Sequence, residues 1–544
     1  MTENIYNFPK EDELLLKQIE DLTNQQKWDS AVELIQERLE KEFDVNIPSN
    51  AVLKAKLAGF LIDIGSEGQL ERPIKDGMDI YEKDIDTFVK YIHKSSIEYN
   101  LGNGKSGLFL IQRTNPGFQF NPKNIGILTE TKNHYWRAYK LLPKEDMGFR
   151  KQLLTNLANT LDTSCRVVEA LHYYDQIIEE DPEFPQANAS RGEALIWLNH
   201  ISGSYSVNQL WQAMNNFAIA VNSKNVPDWY IRQWEEKRDR LQHHLNKHGY
   251  TEQDVEHDIE ITKAEANSHS DYRKFCLNHY LCLSEHSLYC NCIGADRDNL
   301  TIPKSSGSIG GEDIPRMELR LNRMKSEYAI ARLLFYESNE INHKKWEPYN
   351  KELFLTELYE DEAVGHRPEM LRTSFRLCFG ILDKIAHAVS ELFDLSDPEE
   401  PLAFERFWRP RGKGLSRKQE LRWEKINQIE KFPLLALYSQ ATDLNSQTGE
   451  WGDFKKWRNA LEHESLILTQ SSNKPLDIFG ALKSSQRILM VNYEEFRQKT
   501  LHLLHLTRSA IFNFVFCVRI EGEKDLREQG QGVSITLFPK NEIL

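Results

Sequence analysis

The sequence of 544 residues lacks the signals of several protein classes. No run of eighteen apolar residues occurs, so no membrane span is expected, and the polar, acidic segment 1–20 has neither the basic start nor the apolar run of a secretory signal. A glycine-rich loop ending in Lys-Ser/Thr, a His-Glu-x-x-His pair and a Gly-x-Ser-x-Gly elbow are also absent. These absences argue against a P-loop NTPase, a zinc protease of that type and a serine hydrolase of that type.

Cysteine is scarce, and acidic residues outnumber basic residues. The seven cysteines are an odd count in a long chain, which together with the missing signal predicts reduced thiols and a cytoplasmic location. The chain has 68 Lys and Arg against 82 Asp and Glu, a formal net charge of -14. This balance argues against nonspecific coating of nucleic acid, although it leaves room for a local basic site.

The first 250 residues follow the pattern of helical hairpins. The clearest unit begins near Gln152, and its offsets match a tetratricopeptide repeat of about 34 residues with a closing proline. A second unit follows over 192–220, and weaker echoes begin near Trp28 and Tyr99. About four degenerate repeats are predicted, stacked into a superhelix with a groove. The alternative is a helical domain of another topology. The residues that carry the clearest unit are Leu154, Leu157, Ala158, Leu161, Ala170, Tyr174, Ile177 and Pro182.

Three domains are predicted: a repeat array over 1–250, a Cys/His-rich connecting segment over 251–314, and a helical bundle over 315–544. The bundle has helix candidates at 326–336, 370–395, 452–468 and 493–518, and a short strand is predicted at 533–538. The connecting segment invites a zinc interpretation, but its spacing is not a pair of Cys-x-x-Cys knuckles and packing residues intervene, so no metal site is predicted. The residues concerned are Cys276, His279, Cys282, His286, Cys290 and Cys292.

The third of these C-terminal helix candidates, at 452–468, contains a motif whose residues are suited to catalysis. Arg458 and Asn459 are followed by Ala-Leu-Glu and then His463. Here the sequence resembles the HEPN superfamily, whose hallmark is an Arg, usually a polar residue, and a His within four to six residues, late in a helical bundle. The resemblance covers roughly 315–516. It implies an all-α fold, a metal-independent endoribonuclease without a cofactor, a homodimer or higher homo-oligomer, and a setting in antiviral defence or toxin-like growth arrest.

The chemistry of these residue types fits RNA independently of the resemblance. RNA carries its own nucleophile, the 2′-OH, so cleavage needs a group that moves a proton and a group that stabilises phosphate charge. His463 titrates near neutral pH, and the planar guanidinium of Arg458 suits two phosphate oxygens. Asn459 lies four residues before His463, on the same helical face, where it can orient the imidazole. Arg458 lies about 140° away from His463 around an ideal helix, so two facing copies would form a composite pocket.

Two other pairs have the same spacing: Arg238 with His243, and Arg497 with His502. The pair in 458–463 is preferred because it follows long apolar helices, is preceded by aromatic and basic residues, and is followed by the apolar run 466–468. The alternative is a surface pair of Arg458 with Glu462 beside a satisfied histidine.

A basic segment is the second indication of RNA binding. It includes Arg406, Arg409, Arg411, Lys413, Arg417 and Lys418, interleaved with Phe407, Trp408 and Trp423, and Lys455 and Lys456 add charge beside the motif. Basic and aromatic residues together can follow a phosphate backbone and stack bases. The alternative is a solvated basic loop that pairs with an acidic surface.

Supporting polar residues lie inside a long apolar helix. Asp383 and Lys384 could complete the site, with His387 four residues after Asp383 and Glu327 as a weaker candidate. A structural ion pair is the favoured interpretation of these residues. The predicted function is therefore an RNA-cleaving bundle regulated by a repeat array that binds a protein or peptide trigger. The alternatives are a noncatalytic scaffold that binds RNA, nucleotide or protein, and a purely structural interaction protein.

Overall fold

The computed structural model describes residues 8–41, 43–142, 146–202, 206–224, 226–250, 269–290, 295, 297–302, 313–339, 342–355, 361–396, 402–408, 417–470 and 488–528. Two compact units are distinguished by their internal contacts. The first comprises Met1–Ser164, Tyr173–Arg191 and Ala218–Glu235, and the second comprises Cys165–His172, Gly192–Phe217 and Glu236–Leu544. The domain limits 1–250, 251–314 and 315–544 remain a prediction.

Helices fill the N-terminal part of the chain, as the repeat pattern predicts. They are α1 Lys10–Asn24, α2 Trp28–Leu39, α3 Pro48–Glu67, α4 Glu71–Lys83, α5 Ile85–Phe88, α6 Lys94–Arg113, α7 Gly126–Leu141, α8 Met147–Thr163, α9 Val167–Glu180, α10 Pro185–Ile201, α11 Val207–Val221 and α12 Asp228–Lys247. The clearest predicted repeat corresponds to α8 and α9, and the next corresponds to α10 and α11.

Small residues let neighbouring helices of the first unit approach closely. A Cβ atom at Gly77 of α4 would lie 2.6 Å from the carbonyl oxygen of Ala58 in α3, and one at Gly102 of α6 would lie 2.7 Å from the Tyr135 ring in α7. Only glycine fits at such a contact without moving its neighbour. The hairpin pairs α3–α4 and α6–α7 therefore depend on these positions.

The C-terminal part is a helical bundle. Its elements are α13 Asp271–Asn278, a 3₁₀ turn at Glu285–Leu288, α14 Asp313–Glu337, α15 His343–Asn350, α16 His366–Leu392, α17 Phe404–Phe407, α18 Arg417–Gln428, α19 Phe432–Asp443, α20 Asp453–His463 and α21 Tyr493–Glu528. Helix α16 packs against α14 and α21. Its apolar residues recur at helical spacing and are fully buried, among them Phe375, Leu382 and Ile385. The all-α prediction is confirmed.

Helix α21 contains a long apolar stretch. Its stretch Tyr493–Gly522 is long and apolar enough to cross a membrane, but 83% of its most apolar window is buried inside the protein. Contacts with α14, α16 and α19 cover it. Its hydrophobic surface is therefore already used in the core of the bundle.

A small sheet interrupts the helices where a continuous helix was predicted. Helix α20 ends at His463, and β1 Ser465–Thr469 pairs in parallel with β2 Ile488–Asn492. On its other edge, β1 meets 361–363 in antiparallel fashion, with the Ala363 N–H donating to the Leu468 carbonyl at 2.7 Å. The predicted helix over 452–468 is therefore wrong beyond His463. The run Leu466–Leu468 is buried as a strand, because pairing partners far away in sequence satisfy its backbone.

The cysteines and histidines of the connecting segment are packing and hydrogen-bonding residues. Burial raises the pKa of the Cys282 thiol to about 12 and also raises that of Cys276. His279 Nδ1 lies 3.0 Å from the Phe275 carbonyl, and His286 lies 3.6 Å from the Cys290 sulfur. Within the described ranges, no three His, Cys, Asp or Glu side chains converge as metal ligands. Cys292 and the strand predicted at 533–538 lie outside those ranges.

Candidate functional site

Helix α20 presents the predicted motif on its solvent side because its other side is apolar. Trp451 just before the helix, and Phe454 and Trp457 within it, are buried. Phe454 and Trp457 pack on Phe375 of α16, with ring centroids 5.6 and 6.1 Å apart. This packing fixes the rotation of the helix, so that Arg458 is half-buried while Asn459 and His463 are exposed.

Arg458 is held against α16 by two contacts. Its Nη2 atom donates to Asp383 Oδ2 at 3.1 Å, and its guanidinium lies 5.6 Å from the centroid of the Phe379 ring. A third of the Arg458 side chain stays exposed. The ion pair is with a residue of another helix, so the predicted alternative of a helical pair with Glu462 is not what forms. The guanidinium keeps free donors toward solvent in a fixed orientation.

Asp383 links α20 to a third element. Its Oδ1 atom accepts a hydrogen bond from the backbone N–H of Phe404, the first residue of α17, at 2.8 Å. Burial raises the pKa of Asp383, while the Phe404 N–H and the charge of Arg458 act in the opposite direction. The favoured interpretation of Asp383 as an ion-pairing residue therefore agrees with its contacts. Its partner is a residue of the motif itself.

His463 lies at the last position of α20 with its side chain in solvent. Among the residues that the structure describes, it makes no hydrogen bond or ion pair, and none joins it to Arg458. The same holds for Asn459. Their separation agrees with the geometry of a single helix, in which Arg458 and His463 point in different directions. One chain brings together Arg458 and Asp383, and leaves His463 and Asn459 accessible.

The lysines around the motif differ in their partners. Lys384 Nζ lies 2.9 Å from a carboxylate oxygen of Glu327, and Lys455 Nζ lies 2.6 Å from one of Glu405. Lys456 is exposed. Lys384 and Lys455 are therefore partly neutralised within the bundle, whereas Lys456 has no ion-pair partner among the described residues.

The basic segment is only partly described. Arg406 and Arg417 are exposed, whereas Arg409, Arg411, Lys413 and the Lys418 side chain lie outside the described part. Phe407 and Trp408 are 2% and 0% exposed, so the prediction that these two rings stack on bases is wrong. They form part of the core, where Phe407 lies beneath the buried guanidinium of Arg422 at 5.4 Å.

The two competing pairs occupy unsuitable positions. Arg497 forms two hydrogen bonds of 2.7 Å with Glu494, while the ring of His502 is stacked on Trp451 at 4.0 Å. Arg238 pairs with its neighbour Asp239 at 2.9 Å on the charged helix α12. Phe379 and Glu405 were not expected as partners of the motif. Phe379 precedes Asp383 by four residues on one helical face, and this spacing was available as a signal.

Comparison with known proteins identifies a domain in the C-terminal part of the chain. Residues 309–521 match the LA2681-like HEPN family. The match runs from the start of α14 into α21 and includes the motif helix α20. No curated protein and no solved structure matches the chain. The C-terminal part of the chain is therefore a HEPN domain, which supports a nuclease or RNA-binding role.

Proposed function

We propose that the HEPN domain formed by residues 309–521 is a metal-independent endoribonuclease. In this mechanism the 2′-OH of RNA attacks the adjacent phosphate. His463 acts as general base or acid, Arg458 stabilises the charge that develops on the phosphate, and Asn459 orients the imidazole. The products end in a 2′,3′-cyclic phosphate and a 5′-OH.

The observation that carries this proposal is the orientation of Arg458. A guanidinium stabilises a transition state best when its position is fixed in advance. The contacts with Asp383 at 3.1 Å and Phe379 at 5.6 Å supply this preorganisation, and they leave a third of the side chain exposed. Lys456 and Arg406 are exposed cations that could contact the RNA backbone.

A complete site in this proposal requires two copies of the chain. Arg458 and His463 point about 140° apart on one helix, so one phosphate reaches both most easily from two α20 helices related by a two-fold axis. HEPN domains usually dimerise, and the homodimer proposed here places Arg458 of one protomer beside His463 of its partner. Each dimer then has two equivalent sites.

The repeat array is the regulatory part of the proposal. Stacked helical hairpins expose extended surfaces suited to binding a protein or peptide. Such a trigger would release or assemble the nuclease in the cytoplasm, in antiviral defence or toxin-like growth arrest.

One observation favours a second candidate, a noncatalytic HEPN domain that binds RNA or nucleotide as a scaffold. The charge of Arg458 is already compensated by Asp383 in a partly buried pair. An arginine held this way can stabilise the contact between α16 and α20 without taking part in chemistry.

Cleavage of total RNA in EDTA separates the two candidates. We expect the wild-type chain to cut RNA, and Arg458→Ala and His463→Ala each to lower the rate by at least about a hundredfold. The double variant R238A/H243A is the matched control, because it removes the same residue types at the same spacing from α12. Cleavage retained by R458A and H463A would refute the site. RNA bound but not cut by the wild type would establish the scaffold.

Mixing the two inactive variants tests the composite site. A heterodimer of R458A and H463A has one site with both residues intact, and half of randomly paired dimers are heterodimers. Recovery of about a quarter of wild-type activity is therefore expected after mixing and subunit exchange. No recovery, with exchange verified by mass spectrometry, would show that each chain contains its own complete site.

A further inference from the structure

One face of α16 connects the motif to a region that the proposed mechanism does not use. Arg372, Arg376, Phe379 and Asp383 are spaced by four, three and four residues, so they lie along one stripe of the helix. The rise of an α-helix places Arg372 about 16 Å from Asp383 along the axis. Arg458 contacts the stripe at Phe379 and Asp383. The stripe thus carries Arg372 and Arg376 toward one end and the contacts of Arg458 at the other.

The two outer arginines differ in their accessibility to an anion. Arg376 is half-buried and donates to Thr373 Oγ1 at 3.2 Å, and within the described residues no carboxylate pairs with it. Arg372 is less accessible: its side chain is 13% exposed and pairs through Nη1 with Glu369, and its buried Nε atom has no acceptor among the described residues. Because the Glu369 side chain is 60% exposed, a phosphate at the edge of the helix can share the guanidinium of Arg372 with it.

Gly380 leaves the middle of the stripe open. It lies one turn after Arg376 and one turn before Lys384, and it is partly accessible. A Cβ atom built there would meet only the Lys384 ammonium, at 3.7 Å. Gly380 therefore adds no side chain between Arg376 and the Arg458–Asp383 pair, and the Lys384 ammonium lies beside it, donating to its carbonyl at 3.3 Å.

The far end of the stripe opens into a cavity of about 510 Å³. Its walls are mostly apolar, and the polar side chains among them are Arg372 and Thr373 together with His366 and the carboxylates of Glu362 and Glu369. An apolar recess bordered by an arginine suits a nucleobase whose phosphate stays at the rim. Backbone pairing links the cavity wall to the motif: Ala363, between the lining residues Glu362 and Val364, donates to Leu468 of β1, and β1 begins two residues after His463.

We infer that this face of α16 binds single-stranded RNA. Arg372 and Arg376 contact the backbone phosphates on one side of the cleaved bond, and the cavity receives a base beyond them. The inference rests on the proposed function for the position of the cleaved bond, but RNA binding along α16 does not require cleavage. The chemistry that recognises the ligand is a run of phosphodiesters with accessible bases, which single strands provide and duplexes do not.

Binding of 2′-O-methyl oligoribonucleotides of increasing length tests the inference, because these probes lack the nucleophile and are not cut. We expect R372A/R376A to weaken binding of the longer oligonucleotides by at least about tenfold. The dependence of log K on log salt should decrease by about 1.4, since each lost phosphate contact in a single strand accounts for about 0.7. The shortest probe, which spans only the motif, should bind equally to both proteins.

Two further variants separate a binding defect from misfolding. R372K/R376K keeps the charges and should recover most of the affinity and the salt dependence, while R238A removes an arginine from α12 and should bind like the wild type. Equal affinity of wild type and R372A/R376A for every length would refute the inference. A loss of affinity that is the same for all lengths would also refute it, because Arg372 and Arg376 should contact only the longer probes.

The nuclease proposal and the binding inference fail in different ways. If the wild type cuts RNA and R372A/R376A binds RNA normally, the binding inference is refuted and the nuclease proposal is supported. If the wild type binds RNA in a length-dependent way but does not cut it, and R372A/R376A abolishes the length dependence, the binding inference is supported and the nuclease proposal is refuted.

Discussion

Arg458 illustrates how a single residue depends on its surroundings. Its identity and its spacing to His463 are properties of the sequence, but its orientation comes from Asp383 and Phe379 on another helix. The same guanidinium that would bind phosphate is thereby fixed to the bundle. His463 differs, because it lies at the end of α20 in solvent and makes no hydrogen bond within the described chain.

Asp63 of α3 provides a prediction about pH at the residue scale. The protein atoms packed around its carboxylate raise its pKa to about 6, even though the residue is exposed to solvent, and Asn103, which donates to it at 3.4 Å, opposes the change. Between pH 4 and 6 the folded state holds this proton more tightly than the unfolded state does, so the free energy of unfolding falls as pH rises through this range. Asp63→Asn should lack this contribution. Its melting temperature relative to wild type should therefore rise from pH 4 to pH 7.

Thermal melts of both proteins at several pH values check this prediction. The effect will be smaller than the pKa change alone implies, because the Asp63 side chain keeps solvent-accessible surface. A difference in melting temperature that does not change with pH would contradict it. Asp79→Asn is a suitable control, since this exposed carboxylate lies on the neighbouring helix α4.

At the scale of elements, the junction of α20 and β1 connects the motif to the core. The helix ends at His463, and two residues later the chain pairs with β2 on one side and with 361–363 on the other. The position of His463 is therefore fixed by a strand as much as by its helix. This arrangement also connects the motif to the cavity at the start of α16.

Leu468→Ala should destabilise the second unit by about 2–5 kcal/mol, because the side chain is fully buried in this strand. Ser465→Ala, in the exposed first position of the same strand, should change the free energy of unfolding by less than about 0.5 kcal/mol. Urea denaturation followed by circular dichroism measures both. Equal effects of the two substitutions would mean that the strand does not anchor the motif.

At the scale of the whole molecule, a buried ionic network joins distant parts of the sequence within the second unit. Arg166, at the start of α9, pairs with both Glu169 and Asp443, and its side chain is 0% exposed. Gln440 extends the network by donating to Glu169 at 2.7 Å and to Ser509 at 2.9 Å. A segment from the repeat-like part of the sequence is thus built into the core around α19 and α21.

Arg166→Ala should cost about 3–5 kcal/mol, because it leaves two carboxylates buried without their cation. Lys75→Ala, which breaks the exposed pair with Glu71 on α4, should cost less than about 1 kcal/mol. Combining Arg166→Ala with Asp443→Asn should cost less than the sum of the single changes, as expected for residues in contact. Additive effects in denaturant titrations would contradict the network.

The sequence alone determined the helical class, the repeat-like hairpins and the motif at 458–463, because periodicity and spacing are local properties of the chain. It could not determine β1, whose apolar residues fit a helix or a strand equally well until β2 and 361–363 supply partners. Only the tertiary structure decided that Phe407 and Trp408 are buried, that Asp383 holds Arg458, and that Arg372 and Arg376 align with the motif. These are contacts between residues far apart in sequence, and packing, which no local pattern encodes, selects them.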